Sequence, residues 1–398
     1  MAVKIVRQPN KIALLGAPTS AAAMSAGHEG APAALRSAGL IDRLRSAGYE
    51  VSDLGDDPAQ LYQPDEESPR ARNLPRIIAA LEALKPRVEQ AVKSTALPVI
   101  LSGDCSVALA TVAGTRRYFR NVSMIYMDRD ADLNTPATTP SGCVDGMVVS
   151  HLTGTGAAEM VRFWGEPPLV REPDLALFGV ARLDPAEEQL LAKSPLRCFH
   201  AADVQRMGAA AAAQAAVERI HANGYEFILH FDVDVIADFQ ATNYPGTGGL
   251  SLEEVRQALE VFVTQKHLAA IEVAAYNPTK DADASAAKLI VDLLAEALAK
   301  RLETLKSAQT ASAQVAASAA PAPASGSASL EKEVPAAEQS DEKQSHAHAA
   351  VAPPPVAAGE AWSSDSLEIE SPSDPENSES AAHELSGESS GEQEESSS

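Results

Sequence analysis

The chain carries six short, almost wholly apolar runs, and two of them lead straight into spaced aspartates. The runs are Lys11–Gly16, Pro98–Ser102, Val122–Met127, Leu175–Phe178, Phe227–Phe231 and Leu268–Val273. Runs of this length read as strands buried on both faces. Longer stretches with helical spacing fall between or after them, among them Ala31–Ala47, Asn73–Lys93, Leu252–Thr264 and Ser285–Lys306. Strand and helix alternating in this way predict an α/β fold: a three-layer, doubly wound, mainly parallel sheet with helices on both faces. Ligands of such sheets sit beyond the carboxyl ends of the strands. The residues just after each run are therefore the candidates for chemistry.

Composition sets the limits of the folded part. The chain has 398 residues, 45% of them hydrophobic, enough for a sizeable core. From Ala308 onward periodicity is lost and Ala, Ser, Pro and Glu dominate. That stretch holds 17 Asp/Glu against two Lys, a net of −15 out of −23 for the whole chain. It buries too little apolar surface to offset chain entropy, so the sequence predicts one domain over 1–307 and a disordered acidic tail over 308–398. The domain, left with a net charge of −8, has no basic stripe for nucleic acid. No apolar run approaches the ~18 residues of a membrane span or forms a signal-peptide core, and three cysteines make no disulfide framework. The expected setting is soluble, reducing and cytoplasmic.

After the third run comes Asp128-Arg129-Asp130-Ala131-Asp132, and after the fifth Asp232-Val233-Asp234. In extended chain, side chains two apart share a face, so each set is expected to point one way. Five carboxylates at one sheet edge repel one another unless neutralised, and divalent cations are the usual solution. Oxygen-rich sites suit Mn²⁺, Mg²⁺ or Ca²⁺.

These motifs and several others, in order, resemble the arginase/agmatinase/formiminoglutamase (ureohydrolase) family. His28-Glu29-Gly30-Ala31-Pro32 is similar to the segment before that family's first helix. Ser102-Gly103-Asp104-Cys105-Ser106 is similar to Gly-Gly-Asp-His-Ser, and Asp128 to Thr135 to Asp-Ala-His-x-Asp-x-Asn-Thr. Ser141-Gly142-Cys143-Val144-Asp145-Gly146-Met147 resembles Ser-Gly-Asn-x-His-Gly-Met. Asp184-Pro185-Ala186-Glu187 resembles Asp-Pro-Gly-Glu. Phe231 to Val235, Gly248-Gly249-Leu250-Ser251 and Tyr276-Asn277-Pro278 complete the series.

The resemblance implies two Mn²⁺ ions and a metal-activated water that attacks a guanidinium or amidine carbon. It implies metal ligands at Cys105, Asp128, Asp130, Asp132, Asp232 and Asp234, with Cys105 and Asp130 standing where the family has histidine. Asp145 stands at the proton-carrying His position, Cys143 at a substrate-contacting Asn and Ala275 at the Glu that binds the guanidinium. Asn134, Thr135, Ser141 and Asp184 fall where the family contacts the α-amino and α-carboxylate groups. Thiolate at Cys105 favours softer ions such as Zn²⁺; Mg²⁺ or no metal are the further alternatives. A small guanidino or amidino substrate and a homo-oligomer, trimer or hexamer, follow from the same resemblance. The competing expectation is a non-catalytic member that keeps the fold for binding, assembly or regulation. A third makes Cys105 and Cys143 a thiol pair. His28, His151, His200, His221, His230 and His267 are expected to be structural or surface groups.

Overall fold

In the computed structural model, residues 5, 7–162 and 164–319 are described. Eight strands form one all-parallel sheet: β1 (Lys11–Ala17), β2 (Glu50–Asp56), β3 (Leu97–Ser102), β4 (Val122–Met127), β5 (Leu175–Val180), β6 (Arg197–His200), β7 (Glu226–Asp232) and β8 (Leu268–Ala274). Their spatial order is β2-β1-β3-β8-β7-β4-β5-β6. The six expected strands are all present, each within two residues of its expected bounds. The two strands without an apolar run in the sequence are both edges. β2 is Glu-Val-Ser-Asp-Leu-Gly-Asp and mostly exposed, while β6 has four residues. An edge strand pairs on one side only and needs no continuous apolar run.

Helices cover both faces, and each face has its own core. On one face, helices Leu252–Thr264 and Ser285–Ala319 pack against Val99, Phe231 and Ile271 of the sheet. On the other, Leu74–Lys93 and Val107–Arg116 pack against Ile100, Tyr126 and Ile228. The expected helix over Ala31–Ala47 is two helices, Ala31–Ser37 and Leu40–Ser46, parted at Gly39, whose φ of 90° suits glycine. The last helix continues past its expected end at Lys306 to Ala319. Alanine-rich sequence has high intrinsic helix propensity, which outweighs the loss of apolar periodicity there. The rest of the acidic tail, 320–398, lies outside the described residues. Among the described residues no helix is long and apolar enough to cross a membrane.

The sheet order decides where the site forms. β3, β8, β7 and β4 are neighbours at the centre. Their carboxyl ends bring together residues from four distant parts of the chain. Gly103 is required just after β3, because a Cβ there would lie 1.9 Å from the Thr19 carbonyl oxygen.

Candidate metal centre

Cys105 follows β3, Asp128 follows β4, and Asp232 ends β7. All three are buried. The Cys105 thiol donates to Asp232 Oδ2 at 3.0 Å, and the Cys105 N–H donates to Asp145 Oδ1 at 2.7 Å. Asp234 N–H donates to Asp232 Oδ1 at 2.7 Å, holding that carboxylate from its other side. A second group of donors, Asp128, Asp130 and Asp234, shares Asp128 with the first.

The aspartates after β4 do not alternate as extended chain would. The strand ends at Met127, and Asp132 takes a left-handed φ of 48°. Its carboxylate accepts from Tyr126 Oη at 2.5 Å. Asp132 lines the small cavity above these residues but belongs to neither donor group.

Burial, followed by the charges of neighbouring carboxylates, pushes Asp128 and Asp232 well above the usual carboxylate range. Burial and the Asp145 charge do the same to Asp132. Burial and the Asp104 charge raise Asp145 to about 7, and burial with the Asp130 charge raises Asp234 to about 6. So many buried carboxylates cannot all ionise without cations beside them.

Two cations come from the chain itself. Arg129, buried, donates from Nη2 to Asp234 Oδ2 at 3.0 Å and to the Tyr244 carbonyl. Arg182 grips Asp130 with two hydrogen bonds of 2.5 Å, from Nε and Nη2. A side chain at Gly246 would collide with Arg129, its Cβ falling 2.7 Å from Nη1. Arg182 lies outside the motifs and does not stand out in the sequence, whereas Arg129 stands where the motif of the resemblance has Ala.

His230, expected to be structural or surface, is fully buried, and the sheet brings it to the cluster. It sits two residues before Asp232 on β7, so the pleat turns both to one face. That spacing was the available signal. One nitrogen of His230 lies with donor atoms of Cys105, Asp128 and Asp232, all within 4.8 Å of one another. His151 and His28 are buried too but belong to neither donor group.

The cavity above the cluster measures about 230 Å³, below the ~300 Å³ usual for drug-sized ligands, so it suits a small molecule. Asn134, Ser141 and Asp184 line it, with Cys143, Asp145, Arg182 and Tyr244. Thr135 is not among the lining residues; its hydroxyl faces Thr138 Oγ1 at 3.3 Å. Asn134 Nδ2 donates to Asp184 Oδ2 at 2.8 Å, tying two of the expected contact residues together. The cysteines are free. Cys143 donates to the Ala22 carbonyl at 2.9 Å while Cys105 addresses Asp232, so the two thiols serve different partners.

An all-parallel sheet with buried carboxylates at its central strand ends defines an α/β protein with a candidate cation site at that edge. The family model for the arginase family matches residues 10–299, and the chain belongs to that family. It is 29% identical over 294 residues to the arginase of Bacillus subtilis (strain 168), covering 73% of this chain and 98% of that one. The native structure of Bacillus caldovelox arginase superposes with a TM-score of 0.67 at 27% identity, covering 73% of this chain and 98% of that one. Formimidoylglutamase from Bacillus subtilis shares the fold, with a TM-score of 0.59 at 19% identity, over 74% of this chain and 87% of that one.

Proposed function

We propose that this chain is a metal-dependent hydrolase of a C–N bond in a small linear guanidino or amidino compound, working with an altered metal set. The observation that carries the reading is the convergence of Cys105, Asp128 and Asp232 beneath a small-molecule cavity. A divalent cation held there supplies Lewis acidity and lowers the pKa of water. Manganese is the ion of the family resemblance; the thiol favours a softer one.

The remaining roles belong to the chain's own side chains. Asn134, Ser141 and Asp184 offer an amide, a hydroxyl and a carboxylate to the polar end of a substrate. Asp145, raised to about 7, stands where the family carries its proton-transferring histidine and can hold a proton near neutral pH. Ala275 brings no carboxylate, so recognition of a cationic end falls to the aspartates of the cavity.

A second reading, a non-catalytic member with a binding or assembly role, is favoured by one observation. Arg129 and Arg182 already compensate Asp234 and Asp130. The two readings separate on release of urea or ammonia from arginine, agmatine, guanidinobutyrate and formiminoglutamate after loading with Mn²⁺, Zn²⁺ or Mg²⁺. Turnover abolished by Asp232→Ala supports the hydrolase. No release from any pairing of metal and substrate sinks it. A trimer or hexamer is part of the first reading and is checked by light scattering.

A further inference from the structure

Tyr126, His230 and Glu272 stand side by side on β4, β7 and β8, paired in register. All three are fully buried. The Tyr126 and His230 rings stack, with centroids 4.2 Å apart and planes 8° from parallel. His230 Nδ1 lies 3.2 Å from Glu272 Oε1, and the other Glu272 oxygen accepts from Thr111 Oγ1 at 2.6 Å. The carboxylate is an acceptor on both sides, so the proton of the imidazole belongs on Nδ1. That leaves Nε2 as a lone pair, and Nε2 has no hydrogen-bond partner although it is buried. An unsatisfied nitrogen in a protein interior is costly unless something fills the position.

We infer that Cys105, Asp128, His230 and Asp232 hold a single zinc-class cation, with His230 supplying the imidazole missing from this chain's own motifs, while Arg129 and Arg182 take the place of a second ion. The inference rests on the metal-dependent reading above and deepens it. The donor set has the sulfur, nitrogen and oxygen mix that zinc accepts at four-coordinate sites. Glu272 is the carboxylate that orients a metal-bound imidazole through its other nitrogen. The Cys105 thiol proton, now shared with Asp232, leaves to solvent as the ion binds.

The other half of the cluster does not fit an ion. Arg129 Nη2 lies 3.0 Å from Asp234 Oδ2 and 3.8 Å from Asp130 Oδ2, and Arg182 engages both oxygens of Asp130. Asp234 Oδ1 and Arg129 Nε have no partner there. An ion would have to displace both guanidinium groups to gain ligands.

The test is equilibrium metal binding to the full chain after chelation and dialysis, with Zn²⁺, Co²⁺ and Mn²⁺ as separate probes. One ion per chain is expected, with Zn²⁺ bound more tightly than Mn²⁺. Co²⁺ should give a near-ultraviolet thiolate charge-transfer band that Cys105→Ser removes. Glu272→Gln should weaken Zn²⁺ binding about 10–100-fold, and His230→Asn by at least as much. The double variant Arg129→Met, Arg182→Met should raise the capacity for Mn²⁺ from one ion to two, an independent reading if His230→Asn does not fold. Two ions on the native chain, no ion at all, or unchanged affinity in folded His230→Asn would each overturn the inference. Binding of one ion without turnover would keep this site and sink the hydrolase reading; turnover with two ions would do the reverse.

Discussion

At the scale of single residues, Asp145 shows how a substituted position is held. Its two oxygens accept from the Cys105 N–H and from Tyr244 Oη, both at 2.7 Å. Tyr244 Oη also accepts from the Met24 N–H at 3.1 Å. Tyr244→Phe strips one partner from a buried carboxylate, so the unfolding free energy should fall by about 1–3 kcal/mol in denaturant titration. A fall under ~0.5 kcal/mol would mean that the pair contributes nothing net.

His28 offers a pH test at the same scale. Burial lowers it from 6.5 to about 3, and Nε2 accepts from the Asn243 N–H at 3.2 Å. Between those values the unfolded chain binds a proton that the folded chain refuses. The contribution is complete above the ordinary histidine value and is lost as the pH falls toward 3. From pH ~7.5 to ~5, the stability gap between the native chain and His28→Gln should narrow by about 2 kcal/mol. A parallel pair of pH profiles would refute the assignment.

At the scale of elements, some motif residues prove to be architecture. Ser251, the last residue of Gly248-Gly249-Leu250-Ser251, caps helix Leu252–Thr264: its hydroxyl accepts from the Glu254 N–H at 3.3 Å, and Glu254 accepts from the Ser251 N–H at 2.8 Å. Ser251→Ala should cost about 0.5–2 kcal/mol and leave metal binding unchanged. Legibility varied by element for a physical reason. Central strands are covered on both faces and must be apolar throughout, so all four strands that build the site were readable. β2 and β6 pair with one neighbour each and carry no such signature.

At the scale of the molecule, residues 303–312 of the last helix are exposed apart from half-buried Leu305. Ending the chain after Lys306 should therefore change stability by no more than ~0.5 kcal/mol, read by thermal or denaturant unfolding. A larger loss would show that later residues pack on the domain.

The sequence by itself determined six of the eight strands, the carboxylates at their ends and the absence of histidine at the two motif positions. Those are local properties, set by residue type and spacing along one segment. Tertiary structure alone decided that Cys105 meets Asp232 across 127 residues, that His230 reaches the same donors, and that Arg129 turns to Asp234 across 105. Sheet order and register fix those distances, because the partners lie on strands made neighbours by crossovers. The motifs mark where the ligands of relatives would lie, but only the packed sheet brings this chain's own imidazole to them.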